Sequence, residues 1–308
     1  EVRALHAYFG LTRDWTLYVG DALFGMKTAW RREFLDRLAA MNLPLKRIWF
    51  LIRVDTVEDE DLRLFAAANC SPGFGLETGD RRMLGVIRKK GRLDDYHERM
   101  LSIAARAREL NVPWGANVIC GHPGETPESL RSSAAFLRRL FLDPKGTSGF
   151  LSVDPFRLYP GSPIDAERAH YEQTYGTRFY RTEWWQDGDQ EFLSEWVDPS
   201  AELDYLTREQ LQHEELGPLL GAIEDNFVFE GHARDYYLRA IREQVSFSSA
   251  RYRGHYFARH YAWQRYLGFP ERGRRLRRAH AGLAELQRAQ RAARLPALAR
   301  AAEVADPP

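Results

Sequence analysis

Through the first half of the chain, short apolar runs rich in β-formers end in polar or glycine-rich residues and give way to stretches of helical spacing. WTLYVG (15–20) ends at Asp21 and leads to a helical stretch near 29–41. RIWFLI (47–52) ends at Arg53-Val54-Asp55, and 59–69 reads as helix. The run 72–76 ends at Glu77-Thr78-Gly79, with helical segments to about 111. The run 114–120 ends at Gly121-His122-Pro123-Gly124-Glu125, and 150–156 ends at RLYPG (157–161). Met100, Ile103, Ala104, Ala107 and Leu110 recur at helical spacing. Thr126 suits an N-cap, Pro127 the first helical position and Glu128 the helix dipole; Leu130, Ala134, Leu137 and Phe141 then share one face. Strands that alternate with helices at roughly 30-residue spacing predict βαβ units and a parallel sheet. In a β/α barrel every polar strand end opens on one face, where ligands bind.

From about residue 162 the pattern changes. Residues 162–205 are crowded with aromatic and charged side chains and show little strand alternation. Residues 207–268 read as helices, with Leu206, Leu211, Leu219, Leu220, Ile223 and Phe227 as expected core positions. Residues 271–304 are rich in Arg, Ala and Leu and read as helix until Pro296, and the basic run 272–278 is expected to be a solvated helix face.

Composition narrows the picture. The chain has 308 residues, 44% hydrophobic and 28% charged, in the range of a globular protein. A net charge of +1 gives no global field to recruit nucleic acid or an anionic membrane. No apolar run reaches the length of a membrane-spanning helix. Cys70 and Cys120 are the two cysteines, which excludes a disulfide framework or a CxxC-type metal site within these residues. Buried, reduced thiols in a cytoplasmic protein are expected. The chain opens Glu1-Val2-Arg3 without an initiator methionine, so the expectation is that its true N-terminus lies upstream.

The stretch GANVICGHPGET (115–126) carries the sharpest chemical signal. Gly121 and Gly124 permit backbone shapes and close approach that a Cβ forbids. Pro123 removes a donor and stiffens the turn. The backbone here could bond the edge of a flat heterocycle, and Glu125 could fix the loop by accepting backbone N–H groups. A tight turn with no ligand is the plain alternative. Cys120 faces away from Ile119 in a strand and is expected to pack. His122 is expected to be a solvated loop residue.

These residues resemble a known family. GANVICGHPGET is similar to the fifth-strand motif of the radical S-adenosylmethionine enzymes, in the GxPGET form of their cobalamin-associated group. GDALFG (20–25), RVD (53–55), GFGLETGDRRMLGVIRKKG (73–91) and FRLYPGSP (156–163) resemble that group's second, third, fourth and sixth strand motifs, in order. The resemblance covers about residues 1–165. It implies a partial (β/α)6 TIM-like barrel with strands two to six present, over 1–165, then a mainly helical substrate or capping region over 166–308. The CxxxCxxC loop that holds the family's [4Fe–4S] cluster is absent, so cluster ligands are expected outside these residues, and any cobalamin domain further upstream.

Site roles follow from the resemblance. Gly20 and Asp21 correspond to contacts with the methionine amino group of S-adenosylmethionine, and Arg53 to a partner of its carboxylate. An internal Arg53–Asp55 ion pair is the structural alternative. Glu77 and Thr78 correspond to the ribose contacts. Asn117, Ile119 and Gly121 would line the adenine and ribose side, and Tyr159 and Pro160 would stack near adenine. For substrate, Asp154 and Arg157 lie at a strand end, while Trp184, Trp185, Tyr236, Tyr237, His255, His260 and Trp263 are pocket candidates, with an aromatic core as the alternative reading.

The implied activity is a radical enzyme core, a cobalamin-dependent methyltransferase or related radical C–C or C–H chemistry through a 5′-deoxyadenosyl radical. A small-molecule or peptide substrate and a reductant such as flavodoxin or ferredoxin would be its partners. The alternatives are a radical enzyme without cobalamin, such as a methylthiotransferase or cyclase, or a non-catalytic β/α binding domain.

Overall fold

The computed structural model describes residues 1–89, 95–187 and 191–250. Its centre is one parallel sheet of five strands in sequence order: β1 (Thr16–Tyr18), β2 (Arg47–Ile52), β3 (Cys70–Glu77), β4 (Trp114–Cys120) and β5 (Gly149–Pro155). Each strand pairs in parallel with the next, and the sheet curls into a half-barrel. The helices are α1 (Val2–Phe9), α2 (Thr28–Ala40), α3 (Asp59–Ala67), α4 (Arg81–Val86), α5 (Tyr96–Glu109), α6 (Pro127–Phe141), α7 (Pro163–Ala166), α8 (Arg168–Tyr175), α9 (Tyr205–Asp225) and α10 (Arg234–Ala250). A small antiparallel pair, β6 (Arg178–Phe179) with β7 (Val197–Asp198), sits between α8 and α9 in the chain. Residues Glu1–Val245 make one compact unit, and a second unit spans Ser246–Pro308.

The two faces of the sheet differ in chemistry because strand residues alternate. One face presents Ile48, Phe50 and Ile52 from β2, Phe74 and Leu76 from β3, Trp114, Ala116 and Val118 from β4, and Leu151 and Val153 from β5, all buried. Leu62, Phe65, Met100, Ile103, Leu137 and Phe141 of the covering helices join them in one core. Phe50 meets Phe65 at 5.3 Å and Trp114 stacks on Phe141 at 5.1 Å. Helix α6 begins as its residues dictate, with Thr126 Oγ1 accepting from the Ser129 N–H and Pro127 at the first helical position.

The other face is polar and glycine-rich, and it makes the barrel interior. Low in the barrel the Trp49 indole lies across Gly73 and Gly115, where a Cβ would stand 2.2 and 2.7 Å from its ring. The Arg47 guanidinium covers Trp49 at 4.2 Å and Tyr236 at 5.2 Å. Tyr237 of α10 is buried against Phe150 and Phe229. Helix α10 therefore closes the floor of the barrel, at the N-terminal ends of the strands.

The second half thus divides its work. Helix α9 packs beside α6, with Glu215 accepting from Arg138 at 3.1 Å, and Leu216, Leu219, Leu220 and Ile223 join the outer core. The expected core positions Leu206, Leu211 and Phe227 are buried as well. The connection from β5 to α9 stays at the opposite end, where the Leu158 N–H bonds Ser194 O and the Gly124 N–H bonds Pro199 O. Tyr236 and Tyr237, expected near a substrate pocket, belong to the floor instead. The aromatic core alternative describes them better, with Tyr237 buried, Tyr236 half-buried and the Arg47 guanidinium over both rings. His255, His260, Trp263 and the basic run 272–278 lie outside the described residues. No helix among the described residues is long and apolar enough to cross a membrane.

Candidate functional site

The C-terminal strand ends and the loops that follow them enclose a cleft of about 880 Å³. Arg53, Glu77, Thr78, Asn117, Ile119 and Tyr159 line it, as do Asp154 and Arg157. These eight positions, singled out by motif or by place at a strand end across four strands, meet at one mouth. Gly20, Asp21, Gly121, Pro160, Trp184 and Trp185 are not among its lining residues, although Ala22 and Leu23 are. Asp21 caps a local turn, its Oδ1 accepting from the Leu23 N–H at 3.2 Å. Trp184 donates from Nε1 to Leu158 O at 2.7 Å and meets Tyr159 edge-on, which holds Tyr159 from behind.

The charged wall residues at the ends of β2 and β3 are braced. Arg53 grips Asp55 with two bonds, Nε to Oδ1 at 2.9 Å and Nη2 to Oδ2 at 2.7 Å, so the ion pair anticipated as the alternative is formed. Hydrogen bonding to Asp55 raises the Arg53 pKa and keeps the guanidinium charged. Glu77 sits in the left-handed region at φ 66, where the β3–β4 register shifts. Such strain in a side-chain-bearing residue persists only where surroundings over-determine it. The brace is Lys89, which sequence reasoning gave no role although it lies in the quoted RKKG stretch. Its Nζ donates to Glu77 Oε1 at 2.9 Å and to Gly75 O at 2.5 Å, and Tyr96 Oη adds a bond to Gly75 O at 3.0 Å. Thr78 is turned outward: its hydroxyl meets Ser133 Oγ at 2.9 Å and accepts from the Asp80 N–H at 3.1 Å. It reaches the cleft wall with that hydroxyl already engaged.

The loop after β4 explains the clustered glycines. Gly121 and Gly124 stand at φ 87 and φ 90, conformations that side chains rarely adopt. A Cβ on Gly121 would lie 3.0 Å from the buried Arg208 side chain. Glu125 fixes the loop as expected, taking the Gly121 N–H on Oε2 at 2.5 Å. It does so from a buried position lining the cleft, and burial pushes its carboxyl up to about 7 while the Gly121 bond pulls the other way. Cys120 is buried, and burial also drives its thiol well up, consistent with packing.

His122 corrects the sequence expectation. It is buried and lines the cleft. Its Nδ1 lies 2.8 Å from Pro123 O, and Phe156 and Tyr171 meet its ring edge-on. Burial brings its pKa down to about 4, so the ring is neutral and Nδ1 is the donor to Pro123 O. Periodicity could not show this, because the burying residues Phe156 and Tyr171 come from later in the chain.

No family model matches the chain, and no curated protein matches it. Solved structures do. The cobalamin-dependent S-adenosylmethionine radical enzyme OxsB, solved with aqua-cobalamin bound, superposes over 83% of this chain and 41% of its own, with a TM-score of 0.50 and 11% identity. The chain has the fold of the radical S-adenosylmethionine enzymes. The radical S-adenosylmethionine methyltransferase TsrM from Kitasatospora setae, with cobalamin and a [4Fe–4S] cluster bound, matches at 22% identity over 58% of this chain and 32% of its own, with a TM-score of 0.44. The radical enzyme coproporphyrinogen III oxidase from Escherichia coli matches at 18% identity over 53% of this chain and 41% of its own, with a TM-score of 0.37. This chain spans between about a third and two fifths of the length of these structures.

Proposed function

We propose that this chain is the barrel core of a radical S-adenosylmethionine enzyme, and that the whole protein carries out cobalamin-dependent methyl transfer. The observation that carries the reading is the convergence of Arg53, Glu77, Asn117, Ile119 and Tyr159, from four successive strand ends, on one cleft in a barrel of this fold. The cleft fits S-adenosylmethionine in chemistry. Arg53 and Lys89 are cations for the methionine carboxylate. Glu77, with Oε1 held by Lys89, offers its carboxylate to the ribose hydroxyls. The β4 end at Asn117 and Ile119, with Tyr159 opposite, offers backbone and an aromatic face to the adenine. In this reading residues 1–165 form the catalytic barrel, and 166–308 a mainly helical region that contributes to the substrate side.

The iron–sulfur cluster does not fit these residues. Both cysteines are buried, burial pushes both thiols up, and among the described residues no group of His, Cys, Asp or Glu is arranged to hold a metal. Its ligands are therefore assigned outside these 308 residues, and no cleft residue is assigned to cobalamin, which the likeness to OxsB supports. When bound, the cofactors supply the radical and methyl-transfer chemistry. This chain binds and orients S-adenosylmethionine, and its closed floor keeps water from entering beneath. A reductant such as flavodoxin or ferredoxin, and a small-molecule or peptide substrate, complete the proposal.

The test is anaerobic titration of the complete, cluster-loaded protein with S-adenosylmethionine. Removing a charged contact in a closed site costs roughly 2–4 kcal/mol, so Arg53→Ala and Glu77→Ala should each weaken binding about 30-fold or more. Wild-type affinity in both variants would place the ligand elsewhere.

A further inference from the structure

The charges that line the cleft do not balance locally. Four cations line it, and each is paired: Arg53 with Asp55 at 2.7 Å, Arg88 with Glu167 at 2.6 Å, Lys89 with Glu77 at 2.9 Å and Arg157 with Glu195 at 3.0 Å. Three carboxylates line it. Glu77 has Lys89, and Glu125 is buried against the Gly121 N–H. Asp154 has only the Ser152 hydroxyl, which donates to Oδ2 at 3.3 Å, and no ion pair joins it to any described residue.

The position of Asp154 adds shape to that charge. It lies on β5, the far edge of the sheet from β1, in register with Ile119 of β4. Two residues deeper, Ser152 stands opposite Asn117, and all four residues line the cleft. One layer lower again, Phe150 meets Trp49 at 5.5 Å. A carboxylate thus stands above a polar layer, beside the apolar Ile119 and Phe156 of the cleft wall, separated across the sheet from Arg53 on the β2 end and Glu77 on the β3 end. A carboxylate so placed, with no protein cation, favours a ligand that brings its own positive charge.

We propose that Asp154 is the anionic end of a substrate subsite that takes a protonated amine or guanidinium, with the apolar part of the substrate directed toward Ile119 and Phe156, which line the cleft beside it. As a statement about substrate, it rests on the cleft being the reaction site proposed above. The same cationic chemistry exists in the sulfonium of S-adenosylmethionine, so the experiment separates the two sources.

Isothermal titration of the 308-residue chain with 2-phenylethylammonium and with 2-phenylethanol compares two probes of like shape and different charge. Wild type should bind the ammonium at least tenfold tighter than the alcohol, and Asp154→Asn should bind both alike. Equal binding of the two probes by wild type, a comparison that needs no variant, would overturn the proposal. So would a charge preference that survives in Asp154→Asn with its circular dichroism unchanged. In parallel, the complete cluster-loaded protein is titrated with S-adenosylmethionine and with its neutral relative S-adenosylhomocysteine. The ratio of the two affinities should be the same in wild type and Asp154→Asn, and a ratio lowered by the substitution would assign Asp154 to the sulfonium and overturn the substrate subsite. Failure of wild type to bind S-adenosylmethionine would sink the radical-enzyme reading and leave the ammonium result standing as evidence for a cation subsite alone.

Discussion

Glu125 and His122 stand three residues apart in the loop after β4, both buried, and burial shifts them in opposite directions. Burial lifts Glu125 from 4.5 to about 7 and lowers His122 from 6.5 to about 4. The folded state holds a proton on Glu125 that the unfolded chain gives up, so its contribution is fully present below pH 4.5 and lost as pH rises toward 7. The folded state refuses a proton on His122 that the unfolded chain takes, so its contribution is present above pH 6.5 and lost as pH falls toward 4. Each is worth on the order of 3 kcal/mol. Their slopes oppose between pH 4.5 and 6.5 and leave their combined contribution to wild-type stability nearly flat there. Glu125→Gln, which keeps an acceptor for the Gly121 N–H, should gain stability as pH rises across that window. His122→Phe should lose it. Urea denaturation at half-unit pH steps reads both slopes, and three superimposable profiles would show that neither group is held as described.

At the scale of elements, the barrel interior depends on glycine in two strands. Trp49 of β2 occupies the space that Cβ atoms at Gly73 of β3 and Gly115 of β4 would need. Overpacking of this kind typically costs 1–3 kcal/mol, and an indole with backbone on one side and Arg47 on the other has little room to yield, so Gly73→Ala should cost about 3 kcal/mol. Trp49→Leu in the Gly73→Ala background should recover part of that loss, read as non-additivity in thermal unfolding. If Gly73→Ala unfolds like wild type, the ring does not lie where it is described. The N-cap of α6 offers a smaller, local test. Thr126→Ala should cost about 1 kcal/mol, and Thr126→Ser almost nothing, because the capping hydroxyl survives.

At the scale of the whole molecule, α10 closes a half-barrel that its own five strands leave open. Tyr237 is fully buried between Phe150, Phe227 and Phe229, and Arg47 lies above it. Tyr237→Ala should cost roughly 3–5 kcal/mol, as large aromatic truncations in cores do. It should also raise hydrogen exchange at the N-terminal ends of β2 and β5 more than at α6, since the floor opens while the outer layer stays packed. Uniform loss of protection across both layers would show that the floor is not a separate closing element.

The strands Arg47–Ile52 and Trp114–Cys120, the capped start of α6 and the parallel order of the sheet were legible in the sequence, because each rests on signals within a few residues: apolar runs, turn formers and caps. So was the set of polar strand ends, since a β/α sheet carries every such end to the same side. The tertiary structure alone decided what each side chain does there. Arg53 finds Asp55 two residues away, but Glu77 is braced by Lys89 from beyond a helix, and Thr78 spends its hydroxyl on Ser133 of α6. His122 is buried by rings from the connection after β5, and Tyr236 and Tyr237 join the floor because α10 returns to the N-terminal strand ends. Local pattern fixes which elements form. Burial, pairing and the side of the barrel a residue reaches depend on contacts between segments tens to hundreds of residues apart, and spacing along one chain does not encode those.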